Sequence, residues 1–175
     1  MTFLLFSFFV FRIKYRWDYK NNQRLSPLSS VLGILLFGVH GNSIYLILPT
    51  KWPYLPQIKE YPGIEMVFVG ILGIGIIILL ISWFKLGTKV SMGVDKNRIQ
   101  TGGIYKYSRN PQLVGYGLIL ASFLIAYFSY MVLIWFLIYL IAAFFMVKTE
   151  EEFLEQKYNE EYKEYCRQVP RIIKI

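Results

Sequence analysis

The chain is poor in the residues that staple proteins together: 175 residues hold one cysteine, Cys166, and one histidine, His40. A single thiol excludes an intrachain disulfide and any Cys-x-x-Cys metal site, and no metal is expected. Charge is also scarce, at 17% of residues, and is missing altogether from the 36 residues between Gln112 and Val147. There is no repeat of 20 to 50 residues, no low-complexity tract and no linker long enough to separate domains, so a single compact unit is expected. A secretory leader is not expected either. The apolar opening Thr2–Val10 precedes its basic residues Arg12, Lys14 and Arg16, the reverse of the signal-peptide order.

What remains is apolar. The composition is 55% hydrophobic and 18% aromatic with a mean hydropathy of +0.43, outside the range of soluble domains. A helix needs roughly 20 apolar residues to cross the hydrocarbon. Leu28–Leu48 and Gly63–Leu86 each reach that length, and the uncharged run Gln112–Val147 is about twice as long as one span, so it reads as a helical hairpin turning near Tyr127 to Tyr130. Thr2–Val10 reads as a short or tilted first span, with a re-entrant or surface helix as the alternative. The expectation is an all-α, multi-pass membrane protein of about five spans (2–13, 28–48, 63–86, 112–128 and 130–147). A cap from 87–111 and 148–175 would complete the single domain 1–175.

Charge placement orients these spans. Arg12 to Arg24 carries net +4 and Lys85 to Arg109 net +5, whereas Pro49 to Pro62 carries only +1. The positive-inside rule then puts both basic loops and the C-terminal helix in the cytoplasm. The same rule, with anionic lipid, accounts for the net charge of +8 without nucleic acid, which is not expected as a partner.

Several features invite more than they support. "GILGIG" at Gly70–Gly75 looks like a nucleotide loop, but it lies inside an apolar segment with no strand before it, so close helix packing explains it better. His40, beside Gly41, Asn42 and Ser43, is an intramembrane ionisable group best read as a helix-to-helix hydrogen bond. Cys166 reads as a semi-buried small residue. Trp52, Tyr54 and Tyr61, with Trp17 and Tyr19 opposite, fit interfacial aromatic belts.

The tail from Lys148 turns hydrophilic, yet Leu154, Tyr158, Tyr162, Tyr165 and Val169 recur at helical spacing and mark an amphipathic helix ending near Pro170. Thr149 followed by Glu152 has the form of a capping box, so this helix is expected to restart there.

Two polar segments flank the uncharged hairpin: "TGGIYKYSRNPQLVG" before it and "EEEFLEQKYNEEYKEYCRQVPR" after it. Together they resemble the integral membrane methyltransferases comprising isoprenylcysteine carboxyl methyltransferases and phospholipid N-methyltransferases, in their prokaryotic branch. The match runs through Gly103, Ile104, Tyr105, Tyr107, Arg109, Asn110, Pro111 and Gly115, and resumes at Glu150, Glu151, Leu154, Tyr162, Tyr165 and Val169. It covers about the C-terminal half. Asn110 stands where eukaryotic members carry histidine, Leu113 where tyrosine is frequent, and Tyr158-Asn159 where Phe-Gly is usual. The first two bear on substrate choice and the third on helix packing.

The resemblance implies S-adenosylmethionine as cofactor, held in a cytoplasmic pocket, and a lipophilic acceptor (an isoprenylcysteine-like carboxylate or a lipid amine) arriving from the bilayer. Cofactor binding would fall to Gly103, Ile104, Tyr105, Arg109, Asn110, Pro111, Glu150 and Glu151, with Arg109 and Glu151 closest to the chemistry. The residue types suit that ligand: carboxylates accept from its ammonium or ribose hydroxyls, Arg109 can fork onto its carboxylate, and glycine lets backbone approach closely. A sterol-type membrane reductase using NADPH is the rival enzyme, and a channel or transporter subunit the rival outside enzymology. Those reductases are generally longer, and a transport pathway would want polar residues inside the spans.

Overall fold

The structure is a computed structural model that describes residues 2–58, 63–86 and 99–173. The basic stretch at 87–98, with Lys59, Glu60 and Tyr61, lies outside those residues. Among the described residues there are helices and no strand. In chain order they are α1 (Thr2–Phe8), a π-helical turn (Phe9–Lys14), α2 (Tyr15–Asn22), α3 (Pro27–Asn42) with a 3-10 turn (Ser43–Leu46), α4 (Ile64–Leu86), a 3-10 turn (Gly103–Lys106), α5 (Pro111–Ala126), α6 (Tyr130–Tyr158) and α7 (Glu160–Gln168).

Three of these are long and apolar enough to cross a membrane: α3 with its 3-10 turn, α4, and α6. α5 is apolar but has 16 residues, about 24 Å of helix at 1.5 Å per residue. α5 and α6 form the hairpin, with the turn at 127–129 held by Ser129, whose hydroxyl accepts from the Val132 amide at 3.2 Å. Ser26 caps α3 in the same way, accepting from the Ser29 amide at 3.3 Å, and Pro27 takes the first helical position.

α4 packs mainly on α5 and exposes most of its remaining surface, as a lipid-facing helix does. The two backbones meet at Gly75 and Gly115, where an added Cβ would come within 2.8 Å of the partner backbone. Gly75 thus explains part of the "GILGIG" stretch, while Gly70 and Gly73 face open space. α3 joins α6 through His40: its Nε2–H donates to the Trp135 carbonyl at 2.9 Å, its ring stacks on Trp135, and the indole N–H returns a bond to the His40 carbonyl at 2.8 Å. The expected interhelical bond is therefore present.

Three local expectations need correction. The N-terminal segment does not stop near residue 13. It runs helically through Asn22 and packs on α6, where Val10, Phe11, Tyr15 and Tyr19 share a core with Ala142 and Phe153. Tyr19, expected in an interfacial belt, is buried and stacked on Phe153 with ring centroids 4.2 Å apart. Trp17, Trp52 and Tyr54 are exposed. Thr149 and Glu152 form no capping box either, because α6 continues unbroken to Tyr158. Thr149 accepts from Arg12 at 2.7 Å, and Glu152 accepts from Arg12 at 2.9 Å and Arg16 at 3.0 Å. These bonds clamp the N-terminal helix to α6. Burial alone would raise the Glu152 carboxyl, but the two guanidiniums win and hold it below its ordinary value. The helix restarts well beyond that point, at Glu160, after Asn159 turns the chain with φ of +42°.

A second polar node fixes the α2–α3 junction. Asp18 is fully buried and accepts from Lys14 Nζ at 2.6 Å and from the Ser26 amide and hydroxyl at 2.9 and 2.8 Å. Burial opposes its ionisation, yet these donors outweigh it and lower its pKa.

Candidate functional site

The polar residues before the hairpin reach their positions by a chain of local constraints. Gly103 has φ of +64°, a left-handed conformation that favours glycine, and the Lys85 side chain lies over it, with Cε 3.2 Å from where a Cβ would stand. The following 3-10 turn directs Tyr105 inward, where its carbonyl accepts from the Tyr165 hydroxyl at 2.7 Å. Ser108 Oγ accepts from the Asn110 amide at 3.0 Å, and Asn110 leaves helical conformation ahead of Pro111, as a residue before proline does. Pro111 occupies the first position of α5.

The hairpin brings α6 back to the same end of the bundle, where it presents Glu150 and Glu151. Arg109 Nη1 lies 3.0 Å from Glu151 Oε1. The same nitrogen donates to the Tyr162 hydroxyl at 3.1 Å and to Cys166 Sγ at 2.7 Å, and the guanidinium stands over the Tyr162 ring. Cys166 is thus half-buried as expected, and it also accepts a charged donor. α7 supplies Tyr162 and Tyr165, which pack with Val169, Leu154, Tyr158 and Ile99 as the helical spacing anticipates.

Between the two segments lies a cavity of about 80 Å³. Its polar lining includes Gln100, Gln112, Tyr105, Arg109, Glu150 and Glu151, while Leu113, Met146 and Leu154 provide apolar walls from α5 and α6. Of the eight residues expected in a cofactor site, Tyr105, Arg109, Asn110, Pro111, Glu150 and Glu151 line this cavity. Gly103 and Ile104 do not, since they form the turn behind Tyr105, whose own amide is used within that turn. Missing from the sequence reading are Gln100, Gln112 and Met146, which carry no local signal. Arg171, also missed, grips Glu151 through Nε at 3.0 Å and Nη2 at 2.5 Å; its place just after Pro170 was its only hint.

The electrostatics set which groups can give and take protons. Burial pushes the Tyr105 hydroxyl up, with Glu150 adding to the effect. Tyr162 is raised by burial and by Glu151, against the opposing pull of Arg109, and Tyr165 is pushed up to about 12 by burial. These phenols keep their protons at neutral pH and serve as donors. One donor has no partner among the described residues: Arg109 Nε is buried and makes no hydrogen bond with them. Leaving such a group unmet is costly, by about 1–3 kcal/mol or more for a charged donor. Acceptor carboxylates, charged and neutral donors, aromatic faces and apolar walls together match a zwitterionic amino-acid end joined to a flat apolar ring system.

A family model described as phospholipid methyltransferase matches residues 61–161, more than half of the chain, and its span contains the α4–α5–α6 bundle with Arg109, Glu150 and Glu151. No curated protein and no solved structure matches significantly.

Proposed function

The chain belongs to the phospholipid methyltransferase family, whose members are membrane methyltransferases, and on that premise we propose that it transfers the methyl group of S-adenosylmethionine to a lipophilic acceptor. The observation that carries this reading is the cavity whose opposite walls, one from each polar segment, are tied by the 3.0 Å Arg109–Glu151 pair. When bound, the cofactor supplies an electrophilic methyl carbon on a positively charged sulfur.

The protein's role is binding, orientation and exclusion of water. Arg109 lines the cavity and turns its guanidinium fork to the cofactor carboxylate, a role lysine could not combine with the contacts to Glu151, Tyr162 and Cys166. Glu150 and Glu151 accept from the ammonium and the ribose hydroxyls. Leu113 and Met146, near the two ends of the uncharged hairpin run Gln112–Val147, form the side of the cavity continuous with the hairpin, where an acyl or prenyl chain would approach from the bilayer. Holding two reactants in line can account for about 7–11 kcal/mol of barrier in favourable systems. A carboxylate acceptor needs only desolvation and alignment. An amine acceptor must first lose a proton, and because the neighbouring phenols stay protonated, the Glu150 carboxyl is the group to take it.

Five membrane crossings, with α1 and its π-turn as the first and α5 as the fourth, complete the proposal. The basic loops and the charged tail then lie together on the cytoplasmic side. Titration calorimetry in detergent with S-adenosylmethionine tests the site: the wild type binds, while Glu151→Gln and Arg109→Ala bind at least roughly tenfold more weakly, the loss of about 1.4 kcal/mol or more. Absent wild-type binding, or equal binding by all three, refutes it. Stabilisation by NADPH alone would instead support the reductase reading.

A further inference from the structure

The last described residues fold back against Ser108, Arg109 and Asn110, the last two of which line the cavity. The Pro170 carbonyl accepts from the Arg109 amide at 3.0 Å, and the Arg171 carbonyl accepts from Asn110 Nδ2 at 3.0 Å and Ser108 Oγ at 3.4 Å. Asn110, which the resemblance assigns to the cofactor, is here holding the chain's own tail. With its backbone anchored, Arg171 lays its guanidinium along Glu151, Nε on Oε1 at 3.0 Å and Nη2 on Oε2 at 2.5 Å. Arg109 holds Oε1 as well, so three of roughly four acceptor positions on this carboxylate are filled.

A cationic ligand group that takes Glu151 must therefore displace one of its two guanidiniums. The Arg171 side chain is the element best placed to yield, being half exposed (50%) where Arg109 is 13% exposed.

We propose that Arg171 is a specificity-determining residue that competes with the cationic end of the cofactor for Glu151, and so weakens binding of the methyl donor more than that of the demethylated product. This rests on the cofactor site proposed above. The donor carries a sulfonium, an ammonium and a carboxylate, net +1, and is therefore opposed by the Arg171 cation at Glu151 more strongly than a neutral ligand is. On transfer the carbon–sulfur bond breaks, its electron pair stays on sulfur as a neutral thioether, and the methyl bonds to the acceptor. The product is net neutral and is opposed less.

Calorimetry with S-adenosylmethionine and S-adenosylhomocysteine on wild type, Arg171→Gln, Glu151→Gln and the double variant decides the matter. Arg171→Gln is expected to bind S-adenosylmethionine roughly two- to fivefold more tightly, in keeping with a half-exposed ion pair, with a smaller gain for S-adenosylhomocysteine. In the Glu151→Gln background the same change has no effect. Weaker or unchanged binding by Arg171→Gln, or an equal gain for both ligands, overturns the proposal while leaving the cofactor site standing. If none of the four binds either ligand, the cofactor site itself fails and the competition with it.

Discussion

The crossing of α4 and α5 is set by a contact that only glycine permits, and Gly115→Ala tests it. A Cβ at residue 115 would stand 2.7 Å from the Leu79 amide nitrogen and 2.8 Å from the Gly75 carbonyl, where ordinary contact begins at 3.4 Å. Both obstacles are backbone, so no side chain can rotate away and the helices must separate by several tenths of an ångström. A radial gap of about 0.5–1 Å forfeits a quarter to a half of the dispersion attraction of each contact it opens. Overpacking of this kind costs about 1–3 kcal/mol. For a chain of this size each kcal/mol shifts the melting temperature by roughly 2–4 °C. Gly73→Ala is the matched control: the same residue change on α4, with nothing within 4 Å of the added atom. It should be neutral or gain up to about 1 kcal/mol from helix propensity. Thermal unfolding of the two variants and wild type in one detergent gives the answer. If Gly115→Ala melts with wild type, or the two variants shift alike, the close approach of these helices is wrong.

Glu152→Gln should destabilise the protein by about 1–3 kcal/mol, because Arg12 loses its charged partner while mostly buried and Arg16 loses its own at the surface. The folded carboxyl sits below its ordinary value of 4.5, so its contribution is full above that pH and fades as pH falls through the folded pKa. A melting profile from neutral to strongly acidic pH should accordingly have a shallower acid limb in the variant. Asn159 has φ of +42°, so Asn159→Gly should be neutral or stabilising, whereas Asn159→Val should cost about 1–2 kcal/mol in the same thermal assay. Trp135→Phe removes the indole donor to the His40 carbonyl and Ser43 hydroxyl and should cost about 1–3 kcal/mol, less than the roughly 3–5 kcal/mol expected for Trp135→Ala; equal losses would deny the hydrogen bonds any contribution.

How far the sequence could be read depended on the range of the physics. Lipid-length apolar runs, proline at the first position of α5 and the turn after Ala126 are local signals, and each was legible. The meeting of Arg109 with Glu151 was also legible, since an uncharged run of double length leaves the chain little choice but to return. The Arg12 bonds to Thr149 and Glu152 join residues 137 and 140 positions apart and leave no periodic trace. Thr149 and Glu152 imitate a capping box because three-residue spacing places both on one helix face, which serves a cap and a docking surface equally well. The break at Asn159 did have a signal: the resemblance puts Tyr158-Asn159 where Phe-Gly is usual, and the positive φ found at Asn159 favours glycine.

α6 runs without interruption from the apolar interior to Glu152, so it fixes the compass bearing of every acidic side chain at its end. Neighbouring residues on such a rod diverge by about 100°. That is how Glu151 reaches the Arg109 side while Glu152, one step along, reaches the N-terminal helix. Inserting one residue between Ser129 and Val147 would swing this compass by the same angle and send each carboxylate to its neighbour's station. Inserting a whole turn's worth would restore the bearings and merely lift them along the axis.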